Sequence, residues 1–170
     1  MIFNDNLAST KKEIERASQG MKRPTVVLLS AGDRIFRIAS TKKASTGEPI
    51  PSSDWASGSW WFAEADYARI VSRFQAGKLP LGTVARSAGA VQPSWSLMDV
   101  SIKAELLHDV YVYVGKGSTQ YRDQLPNGWF VTSKGWPDIN QIYIPGMRTG
   151  TRAAIRVLTQ KIIQTNTFGF

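Results

Sequence analysis

The sequence predicts an α+β fold with a mostly antiparallel β-sheet core and three helices. Two observations lead to this prediction: short runs of β-branched and aromatic residues that end at Gly or Pro, and three longer segments with helical periodicity. A chain of 170 residues is also long enough to bury a core of its own. We therefore expect one domain over residues 1–170.

The three predicted helices lie at residues 5–19, 63–76 and 149–164. The first has a thin apolar stripe, so we expect residues 1–20 to form a peripheral N-terminal helix. The second has a continuous apolar face and is followed by Gly77, which is placed to end it. The third combines apolar residues at helical spacing with a basic side, and we expect it to close the domain.

Strand-like runs occupy much of the remaining chain. The runs at residues 26–29 and 110–114 are apolar or aromatic throughout, which predicts buried strands. Residues 96–106 alternate between apolar and polar side chains, as in a half-exposed strand, and residues 139–144 form a further strand that ends before Pro145. Residues 78–93 contain repeated Pro and Gly, so we expect a connecting segment, with a short element at residues 83–86 as the alternative.

The run at residues 34–39 carries an arginine in a strand pattern. Alternation places Arg37 on the opposite face from Phe36 and Ile38. An arginine on a central strand is costly to bury unless an anion or carboxylate meets it, which makes Arg37 a candidate for phosphate contact. A solvated sheet face is the alternative interpretation.

Six tryptophans fall in two aromatic-rich segments and at Trp95. The segment at residues 54–62 holds three of them followed by a phenylalanine, which predicts a core plug, a stacking platform for a flat ring, or both. Trp129 and Trp136 lie in a long loop rich in Gly and Pro within residues 109–146. We expect an ordered binding loop there, with a surface meander anchored by two aromatic rings as the alternative.

Composition limits the possible chemistry. The sequence has no cysteine and a single histidine, His108, which excludes disulfides, thiolate metal sites and multi-histidine sites. Its formal net charge of +8 favours anionic partners. The N-terminus lacks the pattern of a secretory signal, and no run is apolar enough to span a bilayer, so we expect a cytoplasmic protein or one delivered into a target cell's cytoplasm, without a membrane partner.

Common nucleotide and hydrolase motifs are absent. There is no GxxxxGK[ST] loop, no GxSxG elbow, and the glycines at Gly115 and Gly117 lack both the third glycine and the following helix of a dinucleotide-binding loop. What remains is a strand with an arginine, an aromatic Gly-Ser-Trp-Trp-Phe segment entering a helix, and a later strand Asn-Gln-Ile-Tyr-Ile. This combination resembles mono-ADP-ribosyltransferase toxin domains.

The resemblance implies an ADP-ribosyltransferase-like fold with an NAD-binding core at residues 34–146. Carried over by position, Arg37 would hold the NAD diphosphate, and Ser59 with Trp60 and Trp61 would form the nicotinamide wall. Gln141 would present the polar side chain of the catalytic strand. We expect Trp129 and Trp136 to add aromatic contacts to NAD. The resemblance also implies a toxin or effector that consumes NAD as a substrate and modifies a macromolecular acceptor, protein or nucleic acid.

The sequence departs from this family at one chemically important position. The later strand lacks the expected glutamate, which matters because positive charge develops on the ribose as nicotinamide leaves. Asp138, Glu64 and Glu105 are candidates to supply a carboxylate from elsewhere. Two alternatives follow: a degenerate transferase fold that only binds a nucleotide, and a non-enzymatic phage- or plasmid-type protein whose basic, Trp-rich surface grips nucleic acid or a host protein.

Overall fold

The computed structural model describes residues 2–124, 128 and 130–164. The strands are β1 (Met21–Leu29), β2 (Arg34–Ala39), β3 (Trp60–Ala63), β4 (Val100–Leu106), β5 (Val110–Gly117), β6 (Gln120–Gln124), β7 (Phe130–Ser133), β8 (Asn140–Tyr143) and β9 (Ile155–Ile162), and the helices are α1 (Lys11–Gly20), α2 (Glu64–Ala76) and α3 (Leu81–Gly89). Within these residues, seven strands form one sheet in the order β1-β5-β8-β3-β2-β4-β9, and β6 pairs with β7. All these strand pairs are antiparallel, which confirms the predicted α+β class.

Both faces of the sheet bury apolar side chains. On one face, α2 and α3 cover Ile38 and Phe62, and Phe36 stacks on Tyr67 of α2 with ring centroids 4.4 Å apart. On the other face, Trp61 and alternate residues of β4 and β5 pack beneath a short 3-10 helix, Ser52–Ser57. Arg37 therefore lies opposite Phe36 and Ile38, as the alternation predicted.

The sheet is nearly divided between β2 and β3. These two strands pair only through Ile35 with Ala63 and Phe36 with Phe62. Beyond Phe36, β2 continues to pair with β4, whereas Trp60 and Trp61 of β3 pair with β8. The two halves of the sheet therefore separate at the end where β3 begins, and this separation opens a cleft next to Arg37.

The N-terminal helix begins later than predicted, and most of its residues are exposed. It spans Lys11–Gly20 instead of residues 5–19, and its Ala17 is fully buried with Met21, Tyr113 and Tyr143. The apolar stripe is thin because small and polar residues, not large apolar ones, make its inner face. None of the helices in the described ranges is long and apolar enough to span a membrane.

The predicted closing helix at residues 149–164 is wrong. A short 3-10 helix, Thr151–Ala154, leads into β9, which pairs along the whole of β4. Several residues of this segment are β-branched and fit a pleated strand as well as a helix stripe. The free edge of β4 decides between the two, because pairing with it satisfies the backbone groups of both strands.

Three other expectations also need correction. The segment expected to connect elements contains the third helix, α3, whose small residues Ala85 and Ala88 are fully buried. Part of the long loop forms the β6–β7 ribbon. The run at residues 26–29 is part of an edge strand, because β5 pairs with one edge of β1 and no strand among the described residues pairs with the other. Its Val26 is 51% exposed.

We predict a large difference between two isoleucine-to-alanine substitutions on neighbouring strands. Ile102 of β4 is fully buried, whereas Ile162 of β9 is 65% exposed. Ile102→Ala should lower the free energy of unfolding by about 2–5 kcal/mol, because it removes buried methylenes and leaves a cavity. Ile162→Ala should change it by less than about 1 kcal/mol. Urea denaturation of both variants measures this; equal losses would contradict the described core.

Candidate functional site

A cavity of about 920 Å³ opens where β2 and β3 separate. It brings together five of the residues that the sequence singled out: Arg37, Ser59, Trp60, Trp61 and Gln141. These residues come from β2, the turn before β3, β3 itself and β8. The volume lies in the range of sites that hold small molecules and cofactors.

The Arg37 side chain crosses the cleft between the two halves of the sheet. Its Nη1 donates to the Trp60 carbonyl at 2.8 Å, and its Nε donates to the Trp55 carbonyl at 3.2 Å. The guanidinium passes directly over Gly58, where an added Cβ would lie 2.0 Å from Nη2. Position 58 therefore has room for glycine only while Arg37 keeps this position.

The guanidinium of Arg148 is a neighbour of the Arg37 guanidinium in this cavity. Burial, together with the positive charge of Arg148, lowers the pKa of Arg37 to about 10. Within the described residues neither arginine forms an ion pair with a carboxylate. Two cations that share a cavity without an acidic partner form a site that an anion would stabilise.

The two adjacent indoles of β3 have different environments. Trp61 is 1% exposed, its Nε1 donates to the Gly58 carbonyl at 2.8 Å, and its ring centroid lies 6.0 Å from the Arg37 guanidinium carbon. Trp61 is therefore a core residue whose ring lies next to the Arg37 guanidinium. Trp60 is half-buried and meets the Tyr143 ring edge-on at 5.0 Å. Trp60 is therefore the indole with a face available to a ligand.

The polar residue of β8 is fixed in place. Gln141 is 5% exposed, and its Nε2 donates to the Gly89 carbonyl at the end of α3, at 2.7 Å. Tyr143, two residues later, lies on the same face of β8 and also lines the cavity. Ser59 lies in the turn before β3, and its backbone carbonyl accepts a hydrogen bond from the Ile144 amide at 2.8 Å.

Helix α1 supplies a carboxylate that the sequence analysis missed. Glu13 is 6% exposed and lines the cavity, and its Oε2 accepts a hydrogen bond from the Tyr143 hydroxyl at 2.8 Å. Its Oε1 lies 3.1 Å from Nη1 of Arg16. One feature of the sequence indicates that Glu13 is on the inner face of α1. Glu13 is spaced by four and seven residues from Ala17 and Gly20, so all three share a helix face.

The remaining candidates among the described residues do not line this cavity. Trp136 packs on Arg73 of α2, with the guanidinium 4.4 Å from the ring centroid, and Trp129 lies outside the described residues. The carboxylates considered as substitutes for the missing glutamate also point elsewhere. They form ion pairs with arginines: Asp138 with Arg73, Glu64 with Arg34 and Glu105 with Arg156.

A second cavity of about 750 Å³ adjoins the first and shares Arg37, Trp95 and Arg148 with it. Its other basic residues are Lys42, Lys43 and Arg152, and we call this region the basic annex. Lys43 is paired with Glu48 at 2.6 Å. Trp95 is 55% exposed, so a flat aromatic surface stands beside the cations where the two cavities meet.

No protein-family model matches the sequence, and a comparison with curated proteins finds no significant match. Two solved structures have a similar chain trace. Rhs1-CT, in complex with its cognate immunity protein RhsI1, is 13% identical, with 85% of each chain covered and a TM-score of 0.48. Tne2, in complex with Tni2, is 12% identical, with 85% of this chain and 95% of that chain covered and a TM-score of 0.47.

We predict a pH-dependent stabilisation from Tyr143. Burial, followed by the hydrogen bond to Glu13 and its negative charge, raises the pKa of the Tyr143 hydroxyl to about 12, above its ordinary value of 10.0. A raised pKa in the folded state stabilises the fold below pH 10, and this stabilisation is lost as the pH rises to 12. The free energy of unfolding should therefore differ between the unmodified protein and Tyr143→Phe at pH 8, and the difference should shrink between pH 10 and 12. Urea denaturation across this range measures it. A difference that stays constant with pH would contradict the buried hydrogen bond.

Proposed function

We propose that the cavity binds NAD and that the chain is a mono-ADP-ribosyltransferase-like toxin or effector domain, which breaks the bond between nicotinamide and ribose. One observation carries the proposal: Arg37 and Arg148 are neighbours in a cavity of suitable size, and neither forms an ion pair with a carboxylate among the described residues. A diphosphate would offset the repulsion between the two guanidinium groups and accept hydrogen bonds from both.

The aromatic residues fit the remaining parts of the ligand. NAD has a flat ring at each end of its diphosphate, and the cavity has a half-buried indole at Trp60 and an exposed one at Trp95. Aromatic rings stack on such surfaces with a gain of about 1–3 kcal/mol each. Under this proposal Trp60 contacts the nicotinamide end, and Trp95 contacts the adenine.

The polar residues near Trp60 would orient the nicotinamide end. Gln141 is held by the Gly89 carbonyl, so its amide is preorganised and does not need to be ordered on binding. Ser59 lines the same wall of the cavity, so a carboxamide or ribose bound there could reach its hydroxyl. These residues keep the roles that the sequence resemblance implied.

The toxin assignment follows from the chemistry proposed here. NAD is required by every cell, so a domain that consumes it would harm a cell that receives it. The acceptor of ADP-ribose could be a protein or a nucleic acid, and the basic annex offers an entrance for an anionic one. Water is the remaining acceptor, in which case the reaction is a hydrolysis.

The basic annex also supports a second candidate function, binding of single-stranded nucleic acid without catalysis. Such binding combines an exposed aromatic surface with cations that meet the phosphates, and Trp95 beside Arg148 and Lys42 has both. We favour NAD because Trp60 lines the first cavity and not the basic annex, so it would have no role in binding a strand along the annex.

We predict that Arg148→Ala weakens NAD binding by about 10- to 100-fold, because it removes one charge-assisted contact to the diphosphate. Tryptophan fluorescence quenching on titration with NAD measures the Kd. Arg148 makes no ion pair with another described residue, so its removal should leave the fold intact.

Arg156→Ala is the matched control. It removes the same charge from β9, where Arg156 pairs with Glu105 and does not line the cavity. It should leave the Kd for NAD unchanged. Equal binding by all three proteins, or no binding by any, would contradict the NAD site. A nucleic-acid binder would instead bind an oligonucleotide with an affinity that falls steeply with salt.

A further inference from the structure

We infer that Glu13 of α1 is the catalytic carboxylate of this cavity, facing the ribose that carries nicotinamide. The inference rests on the proposed function, because it assigns a role within NAD cleavage. It also accounts for the glutamate that the later strand lacks: in this chain the carboxylate comes from the N-terminal helix, and β8 supplies the tyrosine that holds it.

The first step of the argument is the set of acidic side chains available. Among the described residues that line the cavity, Glu13 is the only one with a carboxylate. The other acids considered for this role are engaged by arginines outside the cavity. A buried carboxylate is costly unless it is paired, and Glu13 is 6% exposed, so its position is specifically maintained by its neighbours.

The second step is the order of groups along the cavity. Contacts connect Arg37 to the Trp60 backbone, the Trp60 ring to Tyr143, and the Tyr143 hydroxyl to Glu13. Arg37 therefore lies on the backbone side of Trp60, whereas Glu13, with Arg16 bonded to it, lies beyond the Tyr143 ring that the Trp60 ring contacts. NAD has the matching order, with two negative phosphates at its centre and a positive nicotinamide ring beyond one ribose. With the diphosphate at Arg37 and Arg148, the nicotinamide ribose lies toward Glu13.

The third step is the orientation of the carboxylate. Tyr143 donates to Oε2, and Arg16 donates to Oε1, which leaves each oxygen with a further lone pair. Arg16 is half exposed, and both Arg16 and Glu13 line the cavity. Tyr143 and Arg16 are positioning residues in this arrangement. They fix the carboxylate before the ligand binds, as electrostatic catalysis requires.

The reaction is balanced without any further reagent. The C1′–N bond of the nicotinamide ribose breaks, and its electron pair goes to the ring nitrogen, so neutral nicotinamide leaves. Positive charge develops on the ribose, and the Glu13 carboxylate stabilises it. An oxygen of water or of the acceptor then bonds to C1′ and loses its proton, and the carboxylate is placed to accept that proton.

The deciding substitution is Glu13→Gln, which keeps the shape of the side chain and removes its charge. We expect kcat for nicotinamide release to fall by roughly 100- to 1000-fold, as when one preorganised group is lost from a transition state. The Kd for NAD, from the initial fluorescence quench in stopped flow, should change by less than about 3-fold. Glu13→Asp keeps the charge but withdraws it by one methylene, and should lie between the two in kcat.

Glu15→Gln is the matched control, since Glu15 is two residues away on the exposed side of α1 and faces Lys11 at 3.8 Å. It should behave as the unmodified protein.

If Glu13→Gln releases nicotinamide at the unmodified rate, or loses NAD binding together with turnover, the catalytic role is wrong and the Arg148 result alone decides whether the NAD site is correct. If Glu13→Gln does not fold, Glu13→Asp decides: a full kcat in that variant overturns the role. If the unmodified protein binds NAD without cleaving it, the inference and the proposed cleavage both fail. If it does not bind NAD, the whole proposed function fails with them.

Discussion

The site depends on the hydrogen bonds that Arg37 makes across the divided sheet. After two residue pairs, β2 and β3 no longer share a backbone ladder, and the Arg37 guanidinium donates instead to the carbonyls of Trp55 and Trp60. The bond to Trp60 satisfies a backbone acceptor of β3 at the point where β3 no longer pairs with β2, and the bond to Trp55 ties the 3-10 helix to β2. The same cation is left partly unneutralised in the cleft. The Arg37 side chain therefore both links β2 to β3 and places a positive charge in the cavity.

The surrounding residues are compatible with this position of Arg37. Gly58 leaves space for the guanidinium, and the buried Trp61 ring lies behind it. A second glycine, Gly20, allows the end of α1 to contact the Trp60 ring, where an added Cβ would lie 2.3 Å from Cη2. Through this contact α1 reaches the cavity and brings Glu13 to Tyr143. Close packing around the Trp60 indole thus brings a carboxylate into the same cavity as Arg37.

Much of the fold follows from local patterns in the sequence. The strands predicted at residues 34–39, 110–114 and 139–144 correspond to β2, β5 and β8. The alternation around Arg37 correctly placed it on the opposite face from Phe36 and Ile38. The second helix was predicted within one residue of its start. The segment at residues 149–164 was misread because its β-branched residues suit both a helix stripe and a strand, and only the free edge of β4 favours the strand.

By itself, the sequence determined the α+β class, the absence of thiol and multi-histidine chemistry, and the candidacy of Arg37, because these depend on residue types and short-range periodicity. The candidacy of Ser59, Trp60, Trp61 and Gln141 as an NAD site was what the resemblance to ADP-ribosyltransferase domains implied. Only the tertiary structure decided that these five share one cavity, that Trp136 does not line it, and that Arg148 and Glu13 do. Glu13 and Tyr143 are 130 residues apart. No local pattern specifies such a contact, since it arises only when packing brings distant elements together and excludes water between them.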